Sequence, residues 1–392
     1  MKYKYPLAAD TISAEENMAR GKWLMTNPHL TTGKLVKKYE QKWAQRLDRT
    51  YAKACASGSD ANELMYHALL ESERLENKKV IVPSAAWVTS NASTLFYDGF
   101  EPIMCEADPQ NWGLDPVYLE ELLEKHHPSI VFLVHVLGVP AKMGEIMDLQ
   151  KKYGFFLLED TCAAMGSSYH GKKLGTFGEM SSNSTYYGHQ MGTVEGGMVF
   201  TDDKELADLV HMLRNHGGIC GLDSETRVNI LARHGIEDIG TDFVFIYPGH
   251  NFRFSDDHAF IGLGQLKKID WMTRRRSENH NLYWSLLHND FSLQDYDDES
   301  VISSIHFCAL AKSYEERNHI ILELQKNSIE TRPFTSGNQG LQPYWVKRYG
   351  KFEGTMATRL YQCGFFLPNY PSLQPENIDF ICQVVIKARG GK

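Results

Sequence analysis

Two side chains in this sequence have the type and setting to move or hold a proton. His189 stands in the stretch Ser184-Thr185-Tyr186-Tyr187-Gly188-His189-Gln190-Met191-Gly192-Thr193-Val194-Glu195-Gly196-Gly197. An imidazole exchanges its proton near neutral pH and serves as acid or base without covalent chemistry. Asp160 closes the run Phe155-Phe156-Leu157-Leu158-Glu159-Asp160. A carboxylate at the end of a buried strand is costly unless something pairs with it, and a protonated ring nitrogen would be such a partner. Two more stretches suit a flat, phosphorylated ligand. Ala56-Ser57-Gly58-Ser59-Asp60-Ala61-Asn62 precedes the helical pattern Glu63 to Leu70, and a small turn at a helix start offers free N–H groups and a favourable dipole to an anion. Pro83-Ser84-Ala85-Ala86-Trp87 follows an apolar run, and Trp87 there can lie flat on a heteroaromatic ring. Each signal has a plainer reading: Gly58 and Ser59 as part of a helix cap, Trp87 as core, Asp160 as a helix N-cap, His189 as a hydrogen-bonded loop histidine. Their occurrence together, in this order, favours a phosphate-and-pyridine ligand.

The elements that must position these residues are legible as patterns. Leu35, Val36, Tyr39, Trp43 and Leu47 recur at helical spacing, which predicts an amphipathic helix over 34–47. Strand-like runs at 79–83, 130–134, 155–158 and 198–200 alternate with helical patterns at 119–125 and 143–153. This predicts an α/β fold with a mostly parallel sheet and helices on both faces, its ligands gathered where strands end. Past about Gln265 the texture changes to a compact α+β unit: a helix over 266–288, a strand over 302–308, a helix over 314–326 and a strand over 329–332. The reading is a large cofactor-binding domain over 1–265 with an N-terminal arm and a small domain over 266–392. The stretch 217–248 has no clear pattern.

Composition excludes several classes. A net charge of −8 argues against nucleic-acid binding, which needs a basic surplus. Arg274-Arg275-Arg276 reads as a solvated or ion-paired helix face. Neither a signal-peptide pattern at the start nor a membrane-length apolar run occurs. Seven dispersed cysteines without Cys-x-x-Cys suit a reduced, cytoplasmic protein and give an iron–sulfur cluster or structural zinc no support.

The motifs together resemble the pyridoxal-phosphate-dependent nucleotide-sugar aminotransferases of the aspartate aminotransferase fold, the fold-type I group. In that family the cofactor lysine is followed by five residues and then Glu-Gly-Gly; here the lysine position is His189 and the triplet is Glu195-Gly196-Gly197. The resemblance extends to Leu24–Tyr39, Val134–Ala141, Gly175-Thr176-Phe177-Gly178, Leu213–Gly217, Pro248–Arg253 and Thr331-Arg332-Pro333. It is strongest to a branch of dehydratases, acting on GDP-linked 4-keto-6-deoxy sugars, that also bear histidine there. It implies pyridoxal or pyridoxamine 5′-phosphate as cofactor, with Gly58, Ser59 and Ser184 on its phosphate, Trp87 on its ring and Asp160 on its nitrogen. His189 would be the catalytic acid/base, and His216 would lie near the substrate. Asn251 would reach the phosphate in the neighbouring subunit of a homodimer, and Arg253 and Arg332 would meet the nucleotide-sugar phosphates.

The same resemblance implies the reaction. Without the lysine the cofactor is held noncovalently, and its aminated form would support loss of the C3 hydroxyl from a 4-keto-6-deoxy hexose or heptose. The products would be a 3,6-dideoxy-4-keto sugar and ammonia, with L-glutamate restoring the amine and no iron–sulfur cluster involved. Two departures stand out: Ala163 where the family has Gln or Glu, and Gln190 where the related dehydratases have a second histidine. The competing readings are a noncatalytic cofactor-binding protein of the same fold and a sugar aminotransferase using another lysine.

Overall fold

The computed structural model describes residues 3–96, 99–237, 243–334 and 337–389. Its centre is a seven-stranded sheet of β1 (Tyr51–Cys55), β2 (Lys79–Pro83), β3 (Glu101–Cys105), β4 (Ile130–Val134), β5 (Phe156–Asp160), β6 (Met180–Ser184) and β7 (Gly197–Thr201), in the order β1-β7-β6-β5-β4-β2-β3. The β6–β5–β4–β2–β3 neighbours are parallel, while β7 is antiparallel to both β1 and β6. Every residue of β4 is buried, as expected of a central parallel strand covered on both faces. Among the helices that cover it are Gly58–Glu71, Pro116–His126, Met143–Tyr153 and Lys204–Leu213. Their ends follow local chemistry. Ser57 and Asp203 cap two starts by accepting the N–H groups of Asp60 and Leu206, and Gly154 at φ 75° ends a third helix in the left-handed conformation.

Helix Lys34–Leu47 forms over the predicted residues and buries Val36, Tyr39, Trp43 and Ala44. The later part of the chain holds helix Ile269–Leu287, helix Tyr314–Lys326 and helix Pro375–Ala388 against a three-stranded antiparallel sheet of β8 (Ser292–Leu293), β9 (Phe307–Leu310) and β10 (Gly364–Leu367). Tyr283, Leu287, Phe307, Phe365 and Val385 share one buried cluster there. A short turn over 266–268 joins helices Asp256–Gln265 and Ile269–Leu287.

Three local expectations need correction. The strand begins at Phe307 rather than 302, because Ser303 and Ile305 send their N–H groups to Ser167 Oγ and the Leu137 carbonyl instead of a ladder. Residues 329–332 form no strand: Ile329 bridges Tyr5 and Pro333 bridges Phe365, and Pro333 has no N–H to extend a ladder. The arginine run is not one solvated face. Arg274 and Arg275 pair with Glu278, but Arg276 is buried and donates to the carbonyls of Ser304, Ile305 and Asn369. The unclear stretch contains helix Ser224–Arg233, capped by Asp223; its residues 238–242 lie outside the described ones. Among the described residues no helix is long and apolar enough to cross a membrane.

Candidate active site

The sheet order brings the four sequence signals to one edge, the carboxyl ends of β1, β2, β5 and β6. Helix Gly58–Glu71 starts directly after β1. Ser57 accepts Asp60 N–H on Oγ (3.1 Å) and Ala61 N–H on its carbonyl (3.0 Å), leaving the N–H groups of Gly58 and Ser59 without an intrahelical acceptor. Gly58 faces the end of β6: a Cβ on it would lie 2.6 Å from Ser184 Cβ and 3.0 Å from Ser184 Oγ. Gly197 is required for the same contact, since its Cβ would lie 2.0 Å from the Ser57 carbonyl oxygen. The second glycine of Glu195-Gly196-Gly197 thus lets β7 press against the helix start. Ser59 Oγ reaches Thr89 Oγ1 at 3.3 Å. Two serines and a helix N-terminus converge here, and the cradle suits a phosphate.

Asp160 is buried, and three donors orient its carboxylate, leaving acceptor capacity on Oδ1. Oδ2 accepts from Asn62 Nδ2 and Ser90 Oγ, each at 2.9 Å, and Oδ1 accepts from Cys162 N–H at 2.9 Å. No helix begins there, so the helix N-cap reading fails. Trp87 is 54% exposed, so the core-filling reading fails as well; it stands at the start of the short helix Val88–Ala92 after β2. An anchored carboxylate, an exposed indole and a phosphate cradle along one edge of the sheet fit a pyridine phosphate.

Glu159, one residue earlier, points to the other side of β5. Its carboxylate accepts N–H groups from Gly175 (2.8 Å), Phe177 (2.7 Å) and Gly178 (2.7 Å), and lies 3.1 Å from His135 Nε2. Burial alone would raise its pKa, but His135 and these N–H groups outweigh it and hold the carboxyl below its usual range. The Gly-Thr-Phe-Gly motif and the histidine of the Val134–Ala141 motif are therefore the cage of a buried carboxylate beside the site.

His189 lies in the 185–196 connection between β6 and β7. Thr185 N–H to the Gly196 carbonyl and Thr193 N–H to the Thr185 carbonyl, both 2.8 Å, close its base, and Val194 turns the chain at φ 74°, rare for a β-branched residue. The imidazole is half-buried, edge-on to Tyr186 at 6.3 Å, and its Nδ1 is buried without a hydrogen-bond partner. Burial pushes its pKa down to about 4; Asp160 and the Cys162 carbonyl oppose this, while Arg276 and Arg332 add to it. The ring is consequently neutral at pH 7 and able to accept a proton. Gln190 donates its amide to the carbonyls of Ala163 (2.5 Å) and Ser303 (2.9 Å), so the two departures from the family pattern are in direct contact.

The remaining expected residues divide. Arg332 belongs with His189, being within its electrostatic reach, and its Nη2 lies 3.4 Å from His306 Nε2. His216, Asn251 and Arg253 form a separate exposed group. Their two motifs run side by side: His216 N–H donates to the His250 carbonyl at 2.7 Å, Asn215 bridges Asn251, and Arg253 Nη1 donates to Asn215 Oδ1 at 3.3 Å. Ala56 N–H to the Phe252 carbonyl (3.0 Å) attaches this ladder beside the phosphate cradle. The sequence alone did not show that Asn62 and Ser90 hold Asp160, that His135 meets Glu159, or that His306 contacts Arg332. Asn62 lies inside a quoted motif, whereas Ser90 and His306 give no local signal beyond being polar within buried segments.

Comparison with known proteins gives the same assignment. A family model described as the DegT/DnrJ/EryC1/StrS aminotransferase family matches residues 11–386. The chain is 30% identical over 339 residues to a GDP-4-keto-6-deoxy-D-mannose 3-dehydratase of Yersinia pseudotuberculosis, covering 85% of each. It is 28% identical to a GDP-perosamine synthase of Escherichia coli O157:H7, covering 98% of each. A solved E. coli GDP-4-keto-6-deoxy-D-mannose-3-dehydratase with bound hydrated PLP superposes with a TM-score of 0.90 at 27% identity, over 98% of this chain and 100% of that one. By its matched span, its sheet order and the residues gathered at the strand ends, the chain belongs to the DegT/DnrJ/EryC1/StrS aminotransferase family, and its cofactor is pyridoxal or pyridoxamine phosphate.

Proposed function

We propose that this protein is a pyridoxamine-phosphate-dependent 3-dehydratase of a GDP-linked 4-keto-6-deoxy sugar, hexose or heptose, with L-glutamate as amino donor. The observation that carries the reading is His189: a neutral, half-buried imidazole at the family's lysine position, within electrostatic reach of an anchored Asp160. When bound, pyridoxamine phosphate supplies the amine that condenses with the sugar ketone and a ring that takes up electrons. Gly58, Ser59 and Ser184 hold its phosphate, Trp87 covers its ring, and Asp160 keeps the ring nitrogen protonated. His189 takes the proton from the methylene carbon and returns one to the departing C3 hydroxyl, a role worth about 10²–10⁴ in rate. Arg332 meets the substrate phosphates from within the protomer. We assign Asn251, Arg253 and His216, which share one exposed ladder, to the neighbouring site of a homodimer.

The relatives include both a dehydratase and an aminotransferase, and residue 189 is where the chemistry divides. A lysine there holds the cofactor covalently and favours transfer of the amine; a histidine cannot. The test is incubation with pyridoxal phosphate, glutamate and GDP-4-keto-6-deoxymannose. Ammonia and a product one oxygen poorer are expected. An amino sugar without ammonia would make the protein an aminotransferase, and a borohydride-trapped lysine–cofactor bond in the wild type would identify the lysine; binding without turnover would make it a noncatalytic module. His189→Lys should lose at least about a hundredfold in dehydration and gain a borohydride-reducible bond to the cofactor.

A further inference from the structure

A second histidine, His306, lies within electrostatic range of His189 and has no part in the proposed reaction. His306 is buried, at the start of β9, and the segment leading to it is fixed from both sides of the molecule. Ser303 N–H donates to Ser167 Oγ (2.9 Å), the Ser303 carbonyl accepts from Gln190 Nε2 (2.9 Å), and Ile305 N–H donates to the Leu137 carbonyl (3.1 Å). From the other side Arg276 donates to the carbonyls of Ser304 (3.2 Å) and Ile305 (3.1 Å). The imidazole of His306 packs on Phe366 at 5.3 Å, and the Arg332 guanidinium lies over the same ring at 5.5 Å.

Arg332 Nη2 sits 3.4 Å from His306 Nε2. A guanidinium has donors only, so Nε2 must accept, which requires a neutral ring with its proton on Nδ1. Burial holds His306 well below its usual pKa, and Arg332, Arg276 and His189 push it the same way. Among the described residues Arg332 makes no ion pair with a carboxylate. One nitrogen of its fork is thus fixed by His306 and Phe366, and the others remain available to an anion.

Resting on the reading of Arg332 as a substrate contact, we propose that His306 is a positioning residue: through Nε2 it aims the Arg332 fork at the diphosphate of the nucleotide sugar. The test is calorimetric titration of GDP into the pyridoxal-phosphate-loaded protein, with steady-state kinetics on GDP-4-keto-6-deoxymannose. His306→Phe keeps a ring on Phe366 but removes the acceptor. It should lose roughly tenfold in GDP affinity, with KM rising by the same factor and kcat within about twofold. His306→Gln, which has an acceptor oxygen, should recover most of the affinity. In a double-mutant cycle, His306→Phe combined with Arg332→Gln should bind GDP no more weakly than Arg332→Gln alone. GDP affinity unchanged in His306→Phe while Arg332→Gln is weakened, or additive losses in the double variant, overturns the positioning role and leaves the dehydratase reading intact. Unchanged affinity in Arg332→Gln overturns the phosphate assignment of Arg332 together with the role of His306. If His306→Phe does not fold, His306→Asn gives the same comparison, being polar but too short to reach Arg332.

Discussion

At the scale of single residues, the proposed chemistry depends on one carboxylate being held in place and one imidazole being held neutral. Asp160 has its carboxylate oriented by donors from Asn62, Ser90 and the Cys162 N–H. His189 is kept neutral by burial and by the nearby Arg276 and Arg332 charges, with Asp160 and the Cys162 carbonyl opposing them. A depressed pKa means that the ring remains a competent base as pH falls below 6.5 and becomes protonated only near 4. In the apoprotein, the histidine resonance that disappears in His189→Asn should titrate well below 6.5, near 4. A midpoint at 6.5 or above would mean that the ring is solvated, and the base assignment would lose its physical support.

At the scale of elements, β5 does two jobs with consecutive side chains. Strand alternation sends Asp160 toward the helix Gly58–Glu71 side and Glu159 into the cage of Gly175, Phe177, Gly178 and His135. The cage fixes the strand end, and the strand end fixes Asp160. Glu159→Ala should destabilise the protein by about 3–5 kcal/mol, because it strands buried donors that have no other acceptor; a shift in urea midpoint corresponding to less than 1 kcal/mol would mean that water replaces the carboxylate. The hairpin from β6 to β7 is the second positioning element. Its register pairs Ser184 with Gly197, so the serine proposed to hold the phosphate and the glycine that admits the helix start are fixed by the same ladder that presents His189.

At the scale of the whole molecule, the fold stores several histidines in neutral form. Burial lowers His67 to about 4 and His280 to about 3, and drives His306 well below its usual range. In the unfolded chain each would take up a proton near pH 6.5, so the unfolded state binds more protons as pH falls and stability falls with it. Between pH 7 and 5.5 each of these histidines should cost about 1 kcal/mol. Urea unfolding midpoints measured across that range should decline steadily on the acid side. A flat profile would show that these rings are protonated in the native state. The proposed sharing of sites between protomers belongs to this scale as well. Asn251→Ala and His189→Asn should each be inactive alone, yet recover part of the activity when mixed and allowed to exchange subunits. Failure to recover would place Asn251 in its own protomer's site.

The sequence by itself determined the family, its cofactor and the class of fold. Apolar runs and helical periodicity record which surfaces must leave water, and that is a local property. The chain alone therefore announced the strand-and-helix alternation, helix 34–47, the glycine-bearing helix start at Gly58 and the Asp160 and His189 motifs. What only the tertiary structure decided is which distant polar groups share a buried volume. The engagement of Glu159 with Gly175–Gly178, the burial of Arg276 within an apparently solvated run, and the Arg332–His306 contact across Phe366 join residues far apart in the chain. Such pairings are set by which buried donors and acceptors the packed core leaves unmatched. No window of sequence contains both halves of that account.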